Sequence, residues 1–380
     1  MTTYTAYKVG GSLPWNNPTY IRRQADSNVY DAIRAGQFCT VLGPRQTGKS
    51  SLRIRMRHQL EAAGYRCATL QSTQLIDSPR DYYRWDKQLV SALWDSLQGN
   101  SLQAERSYAK PSQTLQQWLA STSGLLPQQR LEQFSRDLLF KTFPNQPVVI
   151  FIDAAESLLD IPFLANDLFE WIWHCRCLRK IYPDYNRLNF VIAGNAIPGR
   201  LIQNKALLSG GRQVALKNFA LADTQSLQAA FEGRIQQPSQ VLESVLRWTN
   251  GQPLLTQKLC RLLKASMDDF ALPDQPTVPF PAALNRWVDH IAYTQIVSSW
   301  NRQDDLSYLW EMCYEVIRSP YKNQLVGLYR RILAGETVEL NGASVQADLL
   351  HSGLVIADAS QLKSANEIYR HVFVPLMPSI

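Results

Sequence analysis

A chain of 380 residues with 45% apolar side chains and ten tryptophans is long enough for two or three cores and too apolar to be disordered. Its formal net charge of +7 permits nucleic acid or an acidic surface as partner without requiring either, because the basic residues are scattered rather than clustered. No apolar run has the length of a bilayer crossing, the start Met1-Thr2-Thr3-Tyr4-Thr5 is polar, and six cysteines in so long a chain make no disulfide framework, so a cytoplasmic protein with no membrane partner is expected.

In chain order, residues 1–36 read as a leader with turn chemistry at Gly10-Gly11, Pro14 and Asn16-Asn17-Pro18, then a helix over Ala25–Ala35 closed by Gly36. Phe38 to Leu42 is a short apolar strand. It runs into Gly43-Pro44-Arg45-Gln46-Thr47-Gly48-Lys49-Ser50, which fits the phosphate loop G-x-x-x-x-G-K-[ST] without mismatch. A helix follows, from Ser51 to about Ala63, and Gly64 stops it. In this setting the backbone N–H groups and the positive end of the helix dipole point at a phosphate. The candidate nucleotide-binding residues are Gly43, Gln46, Thr47, Gly48, Lys49, Ser50 and Ser51. Lys49 is expected to reach the β- and γ-phosphates, and the Ser50 hydroxyl to ligand Mg²⁺. ATP or ADP is the implied cofactor.

Arg66 to Leu70 reads as a second strand, and Asp77-Ser78-Pro79-Arg80 breaks the pattern. Helical spacing runs from Asp81 to Leu97, polar sequence from Gln98 to Ser112 reads as a loop, and helices are expected over 114–120 and 128–142. Pro147 to Asp153 is a continuous apolar run ending in a carboxylate, the pattern of a central parallel strand buried on both faces. A helix over 166–180, a strand over Leu188–Gly194 and a fifth strand over Val214–Phe219 complete a parallel α/β sheet, whose ligand belongs at the carboxyl ends of its strands. Beyond residue 220 the pattern turns helical, over 223–233, 238–250 and 254–267. A proline-rich linker spans 273–281, further helices follow, and a hairpin near Leu354 precedes a helix over Glu367–Val374. Helices followed by a hairpin suit a small winged-helix module. Cys175 and Cys177 form a lone C-x-C with no second pair at zinc spacing, so buried helix thiols are expected there.

Asp153 ends its strand where the Walker B carboxylate belongs, to hold Mg²⁺ together with Ser50. The next position, where a carboxylate often positions the attacking water, is Ala154, and Ala155 follows. Glu156 is the next acid and a weak candidate for the base, because misplacement is costly in catalysis. Asn195, just after the fourth strand, stands where a polar side chain would sense the γ-phosphate, or is an ordinary turn residue beside Gly194.

Several segments carry a resemblance. Tyr7 to Pro14, Pro18-Thr19-Tyr20 with Arg23 to Asp26, Arg45 to Leu52, Phe151-Ile152-Asp153, Gly251 to Cys260 and Asn366 to Tyr369 resemble the AAA-like ATPase domains common in cyanobacteria, within the STAND branch of P-loop ATPases. The resemblance covers nearly the whole chain. It implies a P-loop ATPase core with a parallel sheet (residues 1–220, leader included), a helical lid (221–280) and a winged-helix-like module (281–380). It also implies that the leader from Tyr20 to Asp26 packs near the adenine. The Gly251-Gln252-Pro253 turn is implied to bring the lid onto the nucleotide, which adds Pro253 to the binding candidates. Members usually carry Asp-Glu where this chain has Asp153-Ala154, so only weak ATPase activity, if any, is expected. Members often continue into β-propeller or helical repeats, so either an effector of this chain is a separate protein or the winged-helix-like module itself does the work.

Two readings follow. In the first, nucleotide state controls self-association or partner binding, with slow or no hydrolysis. In the second, an AAA-type ATPase regulator binds or assembles on duplex DNA, with a steep salt dependence. A metabolic kinase has no supporting pocket signature. No arginine stands out as a finger offered to a neighbouring subunit.

Overall fold

A computed structural model describes residues 7–75, 85–99, 113–195, 211–268 and 280–376. The break expected at Asp77–Arg80, most of the loop expected over 98–112 and most of the linker expected over 273–281 lie outside the described residues. The chain divides into two compact units. One comprises residues 24–42 and 49–215. The other comprises 1–23, 43–48 and 216–380.

The first unit is built on a five-stranded parallel sheet. Its elements are α1 (Gln24–Arg34), β1 (Cys39–Leu42), α2 (Lys49–Ala62), β2 (Arg66–Gln71), α3 (Trp85–Gln98), α4 (Gln113–Ser121), α5 (Pro127–Gln133), α6 (Phe140–Thr142), β3 (Val148–Asp153), α7 (Pro162–Leu178), β4 (Leu188–Gly194) and β5 (Arg212–Gln213). The sheet order is β2-β3-β4-β1-β5. The continuous apolar run of β3 is explained by its position: all six residues are buried, as expected for a strand covered on both faces. Phe190 on β4 meets Phe38 and Trp171 edge-on, with ring centroids 5.2 Å away in each case. Each such fully buried side chain contributes about 1.5–3 kcal/mol by leaving water. Between α5 and α6 the helix runs through a wider turn at Phe134–Leu139, where Ser135 Oγ accepts a 3.1 Å bond from Trp171 Nε1.

The fifth strand is shorter and earlier than the expected Val214–Phe219. It is an edge strand of two residues, pairing Arg212 with Cys39 and Gln213 with Thr40. Edge pairing needs no apolar run, so the sequence pattern pointed instead to the segment after it, of which Val214 and Phe219 are buried.

The second unit is mostly helical: α8 (Gln225–Gln228), α9 (Pro238–Thr249), α10 (Pro253–Ala265), α11 (Phe280–Ala292), α12 (Tyr308–Arg318), α13 (Lys322–Leu333), α14 (Ser344–Ser352) and α15 (Glu367–Phe373). The long helix expected over 223–233 is one turn, α8, flanked by short turns. β6 (Val338–Glu339), β7 (Val355–Asp358) and β8 (Gln361–Ser364) form an antiparallel sheet in the order β6-β8-β7, and β7 and β8 are the expected hairpin. Phe280 and Pro281, expected in a linker, open α11. The leader belongs to this unit: buried Tyr7 donates its hydroxyl to the Leu227 carbonyl, and Gln257 on α10 donates Nε2 to the Thr19 carbonyl at 2.9 Å.

Candidate nucleotide site

Parallel pairing aligns the carboxyl ends of three adjacent strands. Leu42 of β1 pairs with Gly194 of β4, and Ile152 of β3 pairs with Ile192 of β4. The end of β1 before the loop, Asp153, and Asn195 therefore leave the sheet side by side, at the edge where α/β proteins take ligands.

The loop after β1 has the backbone that the motif requires. Gln46 and Gly48 have φ of 59° and 90°, and Thr47 Oγ1 donates to the Pro44 carbonyl at 3.0 Å. Left-handed residues alternating with ordinary ones turn successive N–H groups into one concavity. Gly48 is required by its φ, which suits glycine; a Cβ there would also stand 3.0 Å from Arg23 Nη2, a flexible side-chain end that can give way. Lys49, Ser50 and Ser51 are the first three residues of α2, with Ser51 buried and Lys49 and Ser50 half-buried. The loop and helix end thus fit a phosphate chain through backbone N–H groups and the Lys49 ammonium.

Residues distant in sequence hold this loop. Arg23 Nη1 donates to the Thr47 carbonyl at 2.8 Å and to the Lys217 carbonyl at 3.2 Å, and its guanidinium lies 5.4 Å from the Phe219 ring centroid. Gln252 Nε2 donates to the Gln46 carbonyl at 3.2 Å, while its Oε1 accepts from the Leu255 N–H at 2.7 Å and caps α10. Arg45 pairs with Glu311 at 3.0 Å and Glu315 at 3.2 Å, both on α12. These half-exposed pairs are worth about 0–1 kcal/mol each. Pro253, expected to touch nucleotide, is the buried first residue of α10. Its neighbour Gln252 makes the loop contact. The turn itself is fixed by Gly251, where a Cβ would stand 2.0 Å from the Phe219 carbonyl oxygen.

At the end of β3 the arrangement differs from expectation. Asp153 Oδ2 accepts a 2.8 Å bond from Arg53 Nε on α2, and its Oδ1 accepts the Ala154 N–H at 3.0 Å. Both side chains are buried. Arg53 Nη1 and Arg57 Nη1 both reach Thr69 Oγ1, at 3.3 and 3.1 Å. Ala154 is left-handed, with φ 56° and ψ 42°. Glu156 turns to β4, where its Oε2 accepts the Asn195 N–H at 2.6 Å. It therefore braces the turn that carries Asn195. The observed donor set does not fit Mg²⁺ held by Ser50 and Asp153: the carboxylate's charge is neutralised by a guanidinium, and each of its oxygens already has a partner. Among the described residues no cluster of three or more His, Cys, Asp or Glu is placed to hold a metal ion.

Sequence reasoning placed the segments of Arg23, Arg45 and Gln252 at the nucleotide without giving these side chains a role, and missed Arg53, Glu311 and Glu315 altogether. Arg45 lies inside the motif and Gln252 inside a quoted segment, but their partners are more than 200 positions away.

Comparison with known proteins agrees with the fold. The profile of the AAA-like domain matches residues 8–272. A WD repeat-containing protein of Synechocystis sp. is 32% identical over 372 residues; the match covers 97% of this chain and 30% of that relative's length. Among solved structures, the Walker-type ATPase of Pyrococcus abyssi has a TM-score of 0.55 at 13% identity, covering 97% of this chain and all of that one. This likeness shows the fold, a P-loop ATPase core. The Aeropyrum pernix ORC2 protein, solved as ADPNP–ADP complexes, has a TM-score of 0.48 at 13% identity, covering 98% of this chain and 96% of that one.

Proposed function

From the premise that this chain belongs to the AAA-like domain family, we propose that it is a nucleotide-gated switch of the STAND type. ATP or ADP lies on the Gly43–Gly48 loop with Lys49 on its β- and γ-phosphates, and nucleotide state sets association with a second copy or with a separate protein. The observation that carries this reading is the grip on the loop from Arg23, Gln252, Glu311 and Glu315. Any ligand that shifts the loop changes those contacts, so its binding energy is shared with α10 and α12. A coupling of about 1–3 kcal/mol suffices for such a device. Residues 221–280 then act as the lid and 281–380 as a winged-helix-like reader. Hydrolysis is slow or absent, because Ala154 carries no carboxylate and Glu156 is committed to Asn195.

Light scattering during size-exclusion chromatography tests the reading. With ADP, or with a non-hydrolysable ATP analogue, the wild-type protein alone or with a candidate partner changes its assembled mass, and Lys49→Ala removes the difference. Identical profiles with both nucleotides and with Lys49→Ala would overturn it. The net charge of +7 supports a second reading, binding to duplex DNA. It requires affinity that falls steeply with salt, and lack of binding at low salt would end it.

A further inference from the structure

The two carboxylates at and just after the end of β3 are both engaged within the protein. Glu156 accepts the Asn195 N–H, and Asp153 is paired with Arg53 on α2. Arg53 is one turn beyond Lys49 and Ser50 on the same helix, and the positive end of that helix adds to its charge. Arg57, one turn further on, is buried against Thr69, Ser96 and Glu61, so this side of α2 is held by guanidinium contacts to β2 and α3 as well. A divalent cation at Asp153 would have to displace a buried guanidinium from its carboxylate, or sit beside it as a second positive charge. Neither is favourable where water is scarce.

Resting on the reading that nucleotide occupies this loop, we infer that Arg53 takes the place of a divalent cation at Asp153, and that the chain binds ADP and ATP without needing Mg²⁺. Asp153 anchors an internal ion pair and Arg53 is a positioning residue that fixes the end of β3. The phosphates are neutralised by the loop N–H groups and Lys49. A nucleotide that arrives or leaves does so without a metal ion in the exchange.

The first test is displacement of a fluorescent nucleotide from the full chain by ADP and by ATP, in excess Mg²⁺ and in EDTA. The two dissociation constants agree within about threefold; a wild-type preference for Mg²⁺ above about tenfold overturns the inference. In Arg53→Met, which uncovers the carboxylate, Mg²⁺ strengthens binding by roughly tenfold. Failure to bind nucleotide in either buffer would refute the nucleotide reading and leave the ion pair to a second, nucleotide-free test.

That test is a thermal double-mutant cycle. Arg53→Met and Asp153→Asn each leave a buried partner behind and lower the melting temperature by roughly 5 °C or more, whereas the double variant loses less than the two summed. Strict additivity overturns the inference whatever the nucleotide does. Should Arg53→Met fail to fold, the double variant, which buries no unpaired charge, carries the comparison. It binds nucleotide as wild type does, within about threefold, with no Mg²⁺ dependence; Mg²⁺ dependence in that variant overturns the inference.

Discussion

Glu156 is the residue whose role changes most between sequence and structure. In the chain it is the acid nearest the Walker B position; in the fold its carboxylate is a 2.6 Å acceptor for the Asn195 N–H. A brace and a base respond differently to the same substitution. Glu156→Gln keeps an acceptor and leaves any ATP turnover within about twofold of wild type, while Glu156→Ala destabilises by about 1.5–3 kcal/mol, the usual loss for a hydrogen bond to a charged group. Denaturant unfolding and a turnover assay on both variants check this, and abolished turnover in Glu156→Gln would make Glu156 the base after all. Gly251 is constrained more severely. Its φ is 69°, and a Cβ would collide with the Phe219 backbone, which cannot turn aside as a side chain would. Gly251→Ala costs about 2–4 kcal/mol, from backbone strain and overpacking together, read as a fall in denaturant midpoint.

At the scale of elements, what was legible was what is local. The strand, loop and helix around Lys49 lie within a few residues of one another, and the β3 run Val148–Ile152 announces its own burial. The β5 edge strand was not legible, because two polar residues gain their conformation from β1 alone. Nor was Arg53, whose meaning comes from a carboxylate 100 positions away. Helix α7 illustrates the same point with its two thiols. Cys175 and Cys177, two positions apart on a helix, face different surroundings: the first is buried and the second exposed. Burial pushes the Cys39 thiol up to about 12 and the Cys313 thiol up to about 11. Cys67, Cys175 and Cys260 are raised further for the same reason. Since the thiolate is the reactive form, mild alkylation near neutral pH modifies Cys177 alone, and labelling of any second cysteine before unfolding would contradict the packing. Peptide mass mapping reads the site directly.

At the scale of the whole molecule, ligand binding and stability are linked by mass action. ADP at 100 times its dissociation constant stabilises the folded protein by about 2.7 kcal/mol. Lys49→Ala abolishes the shift in melting temperature, and Glu311→Gln with Glu315→Gln changes the ADP-linked stabilisation by no more than about 2 kcal/mol, the limit for the two half-exposed pairs with Arg45 together. A shift that survives Lys49→Ala would place the nucleotide elsewhere. The division of the chain carries a consequence of a different kind. The sheet unit is a nearly continuous stretch interrupted by six residues, whereas the unit holding the leader and the loop is in three pieces, the last beginning at Leu216. On the ribosome the sheet residues are complete first. Arg45 then waits for Glu315, 270 positions later. At usual translation speeds that is roughly 14–54 s. Through that interval the nascent chain has its phosphate motif and Arg23 but not Gln252, Glu311 and Glu315 together, so the full grip on the loop waits until synthesis has passed Glu315.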